Sequence, residues 1–229
     1  MLLYVITEPR ARYGQSGAPI HTVKLRLEEL SGLPCLVQLY TDVTLAKVGA
    51  LGVRGVLFGG YATPLWEHPL ESFRGIYELA REGDVPILGL CGGHQLVAEL
   101  WAAHNDGGLT KMSSYPIRKL RADEPDPAAA YHPGEFKEWG FHPIRIVRPD
   151  PLFDGLTDGF MASEAHRNEV KQLPEDFLLL ASTPEVRVQA YRHRSRIIYG
   201  TQFHAENYTE HYPAGRRIIQ NFFRIAGIA

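Results

Sequence analysis

Between Pro86 and Trp101 the chain passes from strand to helix with no connecting loop. Pro86 to Leu90 is a short apolar run suited to a buried strand, and it stops at Cys91. Leu96, Val97, Leu100 and Trp101 then recur at helical spacing. A strand that turns directly into a helix around one nucleophilic side chain has the pattern of a nucleophile elbow. Its glycines have a physical role. The nucleophile must adopt a strained backbone, and Gly89 and Gly93 leave room for strand and helix to cross closely. Cys91 then sits at a helix N-terminus, where unpaired N–H groups and the helix dipole favour a thiolate. The N–H of Gly92 is placed to meet an oxyanion formed beside the sulfur. An isolated cysteine is ordinarily a buried apolar residue. That reading is kept for Cys35, in Leu-Pro-Cys-Leu-Val, which has no such surroundings.

The segments before the elbow repeat one alternation. Leu2 to Ile6, Leu36 to Tyr40 and Val53 to Phe58 read as buried strands. Helical stripes follow each: Val23, Leu27 and Leu30 precede Gly32, a short helix covers Leu45 to Ala50, and Leu70, Phe73, Tyr77 and Ala80 precede Gly83. Strand and helix in alternation imply right-handed crossovers and a mainly parallel sheet with helices on both faces. The expected class is α/β. After the elbow helix, residues 105–135 are rich in Gly, Pro, Asp and Ala and read as a long insertion or loop. Beyond it come short strands: Ile144 to Val147, Phe160 to Ala162, Phe177 to Ala181, Val186 to Tyr191 and Ile197 to Gln202. Ile218, Ile219, Phe222, Phe223 and Ala226 form a closing amphipathic helix. No repeat or linker divides residues 1–229, so one domain is expected.

Charge narrows the partners. A formal net charge of −2 favours neither nucleic acid nor a membrane surface. Met1 to Ile6 is too short for a signal peptide or a span, and two cysteines in unlike contexts do not make a disulfide framework. A cytoplasmic setting is expected, because a thiol nucleophile needs a reducing compartment.

A cysteine nucleophile needs a base, and the base needs an orienting acceptor. Of the 10 histidines, His204 has suitable surroundings. The strand Ile197 to Phe203 delivers it at a C-terminal end, the edge where open α/β sheets bind ligands and where Cys91 should emerge. Glu206, two residues on, can accept from the second ring nitrogen. His-x-Glu alone is common, and half of a metal site is the competing reading. No His-Glu-x-x-His or Cys-x-x-Cys pattern supports a metal, so no metal or cofactor is expected.

Gly89-Leu90-Cys91-Gly92-Gly93-His94-Gln95 together with Gly200-Thr201-Gln202-Phe203-His204-Ala205-Glu206 resembles the class I (triad) glutamine amidotransferase domain. The resemblance extends to Val56-Leu57-Phe58-Gly59-Gly60, Trp139-Gly140, Asp150 through Leu156, and Ser163 through Val170. It implies a flavodoxin-like fold and a Cys91, His204, Glu206 triad. It also implies that Gly60 and Gly92 are the oxyanion donors. Gln95 and the Arg167-Asn168 segment fall where the family holds the amino and carboxylate ends of glutamine. The family commonly has Pro where Ala205 stands, and a larger residue where Gly92 stands. The implied reaction is hydrolysis of the glutamine side-chain amide through a cysteinyl thioester, with ammonia passed to a separate synthetase. A free-standing γ-glutamyl hydrolase using the same triad is the alternative, and a non-catalytic regulatory domain a third reading.

Overall fold

A computed structural model describes residues 1–15, 20–105, 109 and 112–228. In chain order it contains β1 (Leu2–Ile6), α1 (Ile20–Ser31), β2 (Cys35–Leu39), α2 (Leu45–Ala50), β3 (Gly55–Phe58), α3 (Arg74–Glu82), β4 (Ile87–Leu90) and α4 (Gly92–Asn105). Then follow β5 (Tyr115–Pro116), β6 (Glu138–Ile146), β7 (Phe160–His166), β8 (Asn168–Glu169), β9 (Phe177–Ser182), β10 (Ala190–His193), β11 (Ile198–Thr201) and α5 (Ala214–Ile225).

Period-two side-chain alternation explains the layers. Leu2, Tyr4 and Ile6 of β1 pack on one face with Val23 and Leu27 of α1 and Ile218, Ile219, Phe222 and Phe223 of α5. Leu3 and Val5 point the other way, toward Val48 of α2, Ile76 and Leu79 of α3, and Leu96, Val97 and Leu100 of α4. Every residue of β1 is therefore buried, and its sequence is continuously apolar.

The strands form one nine-stranded sheet in the order β2-β1-β3-β4-β11-β10-β9-β6-β7. The part β2-β1-β3-β4-β11 is parallel, the flavodoxin-like arrangement the resemblance implied. From β11 outward the sheet continues as antiparallel pairs. The functional consequence lies in β4 and β11. They are parallel neighbours, with Leu90 opposite Thr201, so Cys91 and His204 leave the same sheet edge.

Two expectations need correction. β6 begins at Glu138, well before the apolar run at Ile144, because its first half alternates against β7 rather than filling the core. The segment Val186 to Gln189 is not a strand: Thr183 N–H donates to the Val186 carbonyl in a tight turn, cross-strand bonds begin at Gln189, and the strand itself at Ala190. The 105–135 segment, of which residues 106–108 and 110–111 lie outside the described residues, is loop-rich but tied to the rest of the fold. Tyr115–Pro116 pairs with Asn168–Glu169, and Arg118 reaches both Glu124 and Glu185. Among the described residues no helix is long and apolar enough to cross a membrane.

Candidate active site

The elbow is built as its residues dictate. Cys91 has φ 50°, left-handed backbone that a non-glycine residue rarely adopts. Its N–H donates to the Thr201 carbonyl at 2.8 Å and its carbonyl accepts from Gln95 N–H at 3.2 Å, so strand β4 ends and helix α4 starts on one residue. A Cβ on Gly93 would stand 2.1 Å from the Phe58 carbonyl oxygen, and one on Gly89 2.6 Å from the Gly93 oxygen. Only glycine permits that crossing.

β11 delivers the base. His204 Nδ1 lies 2.8 Å from Glu206 Oε1, and the Glu206 side chain is buried. The His204 backbone N–H donates to the Ser163 carbonyl at 2.8 Å, which fixes the residue against β7. The imidazole and Cys91 line the same cavity. Burial works to keep this imidazole neutral, but the adjacent Cys91 sulfur and the Glu206 carboxylate outweigh it and push its pKa well above 6.5. The sulfur, imidazole and carboxylate named from sequence thus gather at one edge of the sheet.

Gly60 and Gly92 meet beside the sulfur. A Cβ on Gly60 would be 3.4 Å from His204 Cε1, 3.8 Å from Cys91 Cβ and 3.9 Å from the Gly92 nitrogen. Gly92 itself is pressed against Tyr61, whose Cδ1 would lie 2.5 Å from an added Cβ. A larger residue at position 92 would need Tyr61 to move.

The three residues assigned to substrate sit differently. Gln95 is buried, its amide donating to the Asn168 carbonyl at 2.8 Å and to Gln202 Oε1 at 3.0 Å while its oxygen accepts from Tyr61 OH at 3.0 Å. These bonds brace the side chain between Tyr61, Asn168 and Gln202. Arg167 pairs with Glu135 at 2.8 Å and so ties down the insertion. Asn168 is buried, with its side-chain oxygen toward Arg167. A cavity of about 360 Å³ opens beside Cys91 and His204 instead onto Gly60, Tyr61, Tyr131, Trp139 and Ala165.

The sequence motifs do not single out Gln202. Fully buried, it donates to Cys91 Sγ at 3.7 Å and accepts from Gln95, linking that side chain to the nucleophile. The available signal is a polar residue two positions before His204 at the end of an apolar strand.

Among the described residues, Glu138, Glu164 and His166 could offer ligands to a metal, their nearest atoms all within 4.8 Å of one another. An ion pair accounts for the cluster. His166 Nε2 is 3.1 Å from one oxygen of each carboxylate, and Nδ1 is 2.8 Å from the Asn168 carbonyl. Burial opposes the charge on His166, but the two carboxylates win and raise its pKa well above 6.5. Burial raises that of Glu164 as well. Thr183 and Gln189 donate to Glu138 at 2.5 and 2.6 Å, so its oxygens are already committed. His94, inside the elbow motif, is buried 4.5 Å from the Tyr191 ring, and burial pulls its pKa down to about 3, leaving it a neutral packing residue.

The glutamine amidotransferase class-I family model matches residues 32–226. The glutamine-hydrolyzing subunit of GMP synthase from Archaeoglobus fulgidus is 31% identical over 226 residues, 98% of each chain. The protein of the same name from Methanopyrus kandleri is 30% identical over 213 residues, covering 92% of this chain and 95% of its own. Among solved structures, a candidate GMP synthase subunit from Thermoplasma acidophilum superposes with a TM-score of 0.71 at 25% identity, covering 99% of this chain and 94% of that one. The glutaminase domain of Trypanosoma brucei CTPS shares the fold, with a TM-score of 0.69 at 14% identity over 99% and 94% of the two chains. The chain belongs to the class-I glutamine amidotransferases, enzymes that hydrolyse the side-chain amide of glutamine.

Proposed function

We propose that Cys91 is the nucleophile, His204 the acid and base, and Glu206 the residue that orients His204. The supporting observation is that Cys91 and His204 line one cavity at the edge shared by β4 and β11, with Glu206 held 2.8 Å from the His204 Nδ1. The sulfur attacks the γ-carbonyl carbon of glutamine. Negative charge collects on the carbonyl oxygen, and the Gly60 and Gly92 amides receive it. His204, kept protonated by its neighbours, gives its proton to the departing nitrogen as the C–N bond breaks, and ammonia leaves. The neutral imidazole then takes a proton from water, whose oxygen attacks the thioester. Glutamate leaves and the thiolate–imidazolium pair is restored.

The ammonia passes to a separate synthetase subunit. The relatives named as glutamine-hydrolyzing subunits of GMP synthase support this, and the sequence carries no phosphate-binding loop of its own. Residues 1–229 act as one glutaminase unit in which Gln95, Arg167 and Asn168 support the wall of the site. A thiol nucleophile and a second free cysteine suit a reducing compartment, so we assign the chain to the cytoplasm. Cys91→Ala abolishes ammonia release from glutamine and leaves thermal unfolding unchanged. Ammonia release surviving that substitution refutes the assignment.

A further inference from the structure

The carboxylate of Glu206 is held by a single hydrogen bond. It is buried, with Oε1 taken by His204 Nδ1 at 2.8 Å and Oε2 without a hydrogen-bond partner. A carboxylate bonded once takes its position from its backbone. That backbone is one 3₁₀ turn, Ala205–Asn207, entered from His204 and left at Tyr208. The Asn207 N–H donates to the His204 carbonyl at 3.1 Å and the Ala205 N–H to the Phe203 carbonyl at 3.1 Å. Both bonds are local, and a lone turn of this kind is marginal. It must be held from outside.

Two elements hold it. Gly215 in the first turn of α5 packs on Ala205, and an added Cβ there would stand 2.2 Å from the Ala205 carbonyl oxygen. The second is Arg26 of α1, 180 residues from Glu206 in sequence. Its Nη1 donates to the Glu206 carbonyl, and its guanidinium carbon lies 4.3 Å from the centroid of the Tyr208 ring. One planar cation thus clamps the residues on both sides of Asn207, by a hydrogen bond and by stacking.

The helix that presents Arg26 is itself fixed. Val23 and Leu27 are buried in the core. Glu28 accepts from Lys24 at 2.6 Å and from the Cys35 N–H at 2.8 Å, which ties α1 to β2. An arginine on a helix surface ordinarily pairs with an acid three or four residues away. Glu29 stands at that distance but pairs with Arg216 at 3.2 Å, and among the described residues Arg26 has no carboxylate partner. Its guanidinium is spent on the turn. It does not line the cavity beside Cys91.

We infer that Arg26 is a positioning residue: through the Glu206 carbonyl and the Tyr208 ring it sets where the Glu206 carboxylate meets His204. The inference rests on the proposed triad and extends it to an element that carries none of the motifs. Proton transfer through His204 depends on that placement and glutamine binding does not, so the loss of Arg26 acts on kcat and spares KM.

The test measures kcat and KM for glutamine with the full chain, in the natural sequence, Arg26→Ala, Arg26→Lys, Arg216→Ala, Glu206→Gln and the double variant Arg26→Ala/Glu206→Gln. Arg26→Ala lowers kcat by about 10–100-fold, the range for residues that orient another functional group, and KM stays near its natural value. Arg26→Lys keeps a donor but not the planar face on Tyr208, and its kcat falls between the two. Arg216→Ala breaks only the surface pair with Glu29, leaves Arg26 in place, and keeps natural kcat. In the Glu206→Gln chain, Arg26→Ala costs less than about twofold more, because the carboxylate it positions is gone. Natural kcat in Arg26→Ala, an equal loss in Arg216→Ala, a change in KM alone, or an undiminished further loss in the Glu206→Gln chain overturns the inference and leaves the triad standing. Where Arg26→Ala does not fold, Arg26→Lys decides: lowered kcat at natural KM supports the role, and natural kcat overturns it. Ammonia release surviving Cys91→Ala strikes the triad itself, and the role of Arg26 with it.

Discussion

Gly93→Ala probes the construction of the site without touching a reacting group. The added Cβ would lie 2.1 Å from the Phe58 carbonyl oxygen, 2.6 Å from its carbonyl carbon and 2.7 Å from its Cβ. Ordinary contact begins at 3.4 Å, so helix and strand must separate by about 1.3 Å, the difference of 3.4 and 2.1. Neither backbone can yield as a side chain would. Phe58 is paired on both sides, to Val5 of β1 and Gly89 of β4. The shift therefore reaches Cys91 at the head of α4, or Gly60 just past β3. Misplacing a reacting group by about 1 Å costs on the order of 100-fold in rate. Overpacking of this kind costs about 1–3 kcal/mol of stability, and in a chain of this size each kcal/mol lowers Tm by roughly 2–4 °C. Glutamine turnover, calorimetry and the rate of Cys91 alkylation measure the three effects. Gly49→Ala is the control: an added Cβ there meets nothing within 4 Å. In a helix it should raise stability by about 0.5–1 kcal/mol with unchanged turnover. Natural turnover and Tm in Gly93→Ala would mean that α4 does not cross β3 so closely, and the account of the elbow would fail.

Other substitutions test separate links. Glu206→Gln keeps the shape but no longer selects the correct imidazole tautomer, so kcat for glutamine should drop on the order of 10⁴-fold, as for Asp→Asn in a serine-protease triad; loss of less than tenfold denies Glu206 its orienting role. Gln202→Leu removes the donor to Cys91 Sγ and the acceptor for Gln95, leaving buried amide hydrogens unpaired at about 1–3 kcal/mol. Turnover and Tm should fall together, and an unchanged Tm contradicts the bracing. Glu99 is a pH probe: burial outweighs its bond from Ser113 N–H and raises its pKa from 4.5 to about 7. The folded chain holds that proton more tightly than the unfolded one, so this contribution is complete below pH 4.5 and lost as pH rises through about 7. Glu99→Gln should therefore raise Tm more at pH 8 than at pH 5, and an equal change at both contradicts the burial of the carboxyl.

The site was legible where chemistry and backbone impose one residue type. Cys91 with its glycines and His204 with Glu206 could be singled out as candidates that the fold brings to one edge, because an elbow and an oriented base tolerate few substitutes. The parallel half of the sheet was legible because strands buried on both faces are continuously apolar. The sequence is less informative about a side chain's direction. Gln95 and Arg167 lie in the family's substrate positions, and their partners here are Tyr61, Asn168 and Gln202 for the first and Glu135 for the second. Motif spacing carries no information about such competing partners. The first half of β6 was hidden for a related reason: an outer strand with polar and exposed positions lacks the apolar run that marks an inner one.

The claim on which the rest depends is covalent. Incubation with glutamine, an acid quench during turnover, digestion and mass spectrometry should show a γ-glutamyl thioester on Cys91. None should appear on Cys35, whose pKa is pushed up to about 11 by burial. The adduct should accumulate when Glu206→Gln slows its hydrolysis. Steady ammonia release with no adduct on Cys91 under any quench, or with the adduct elsewhere, would contradict the account.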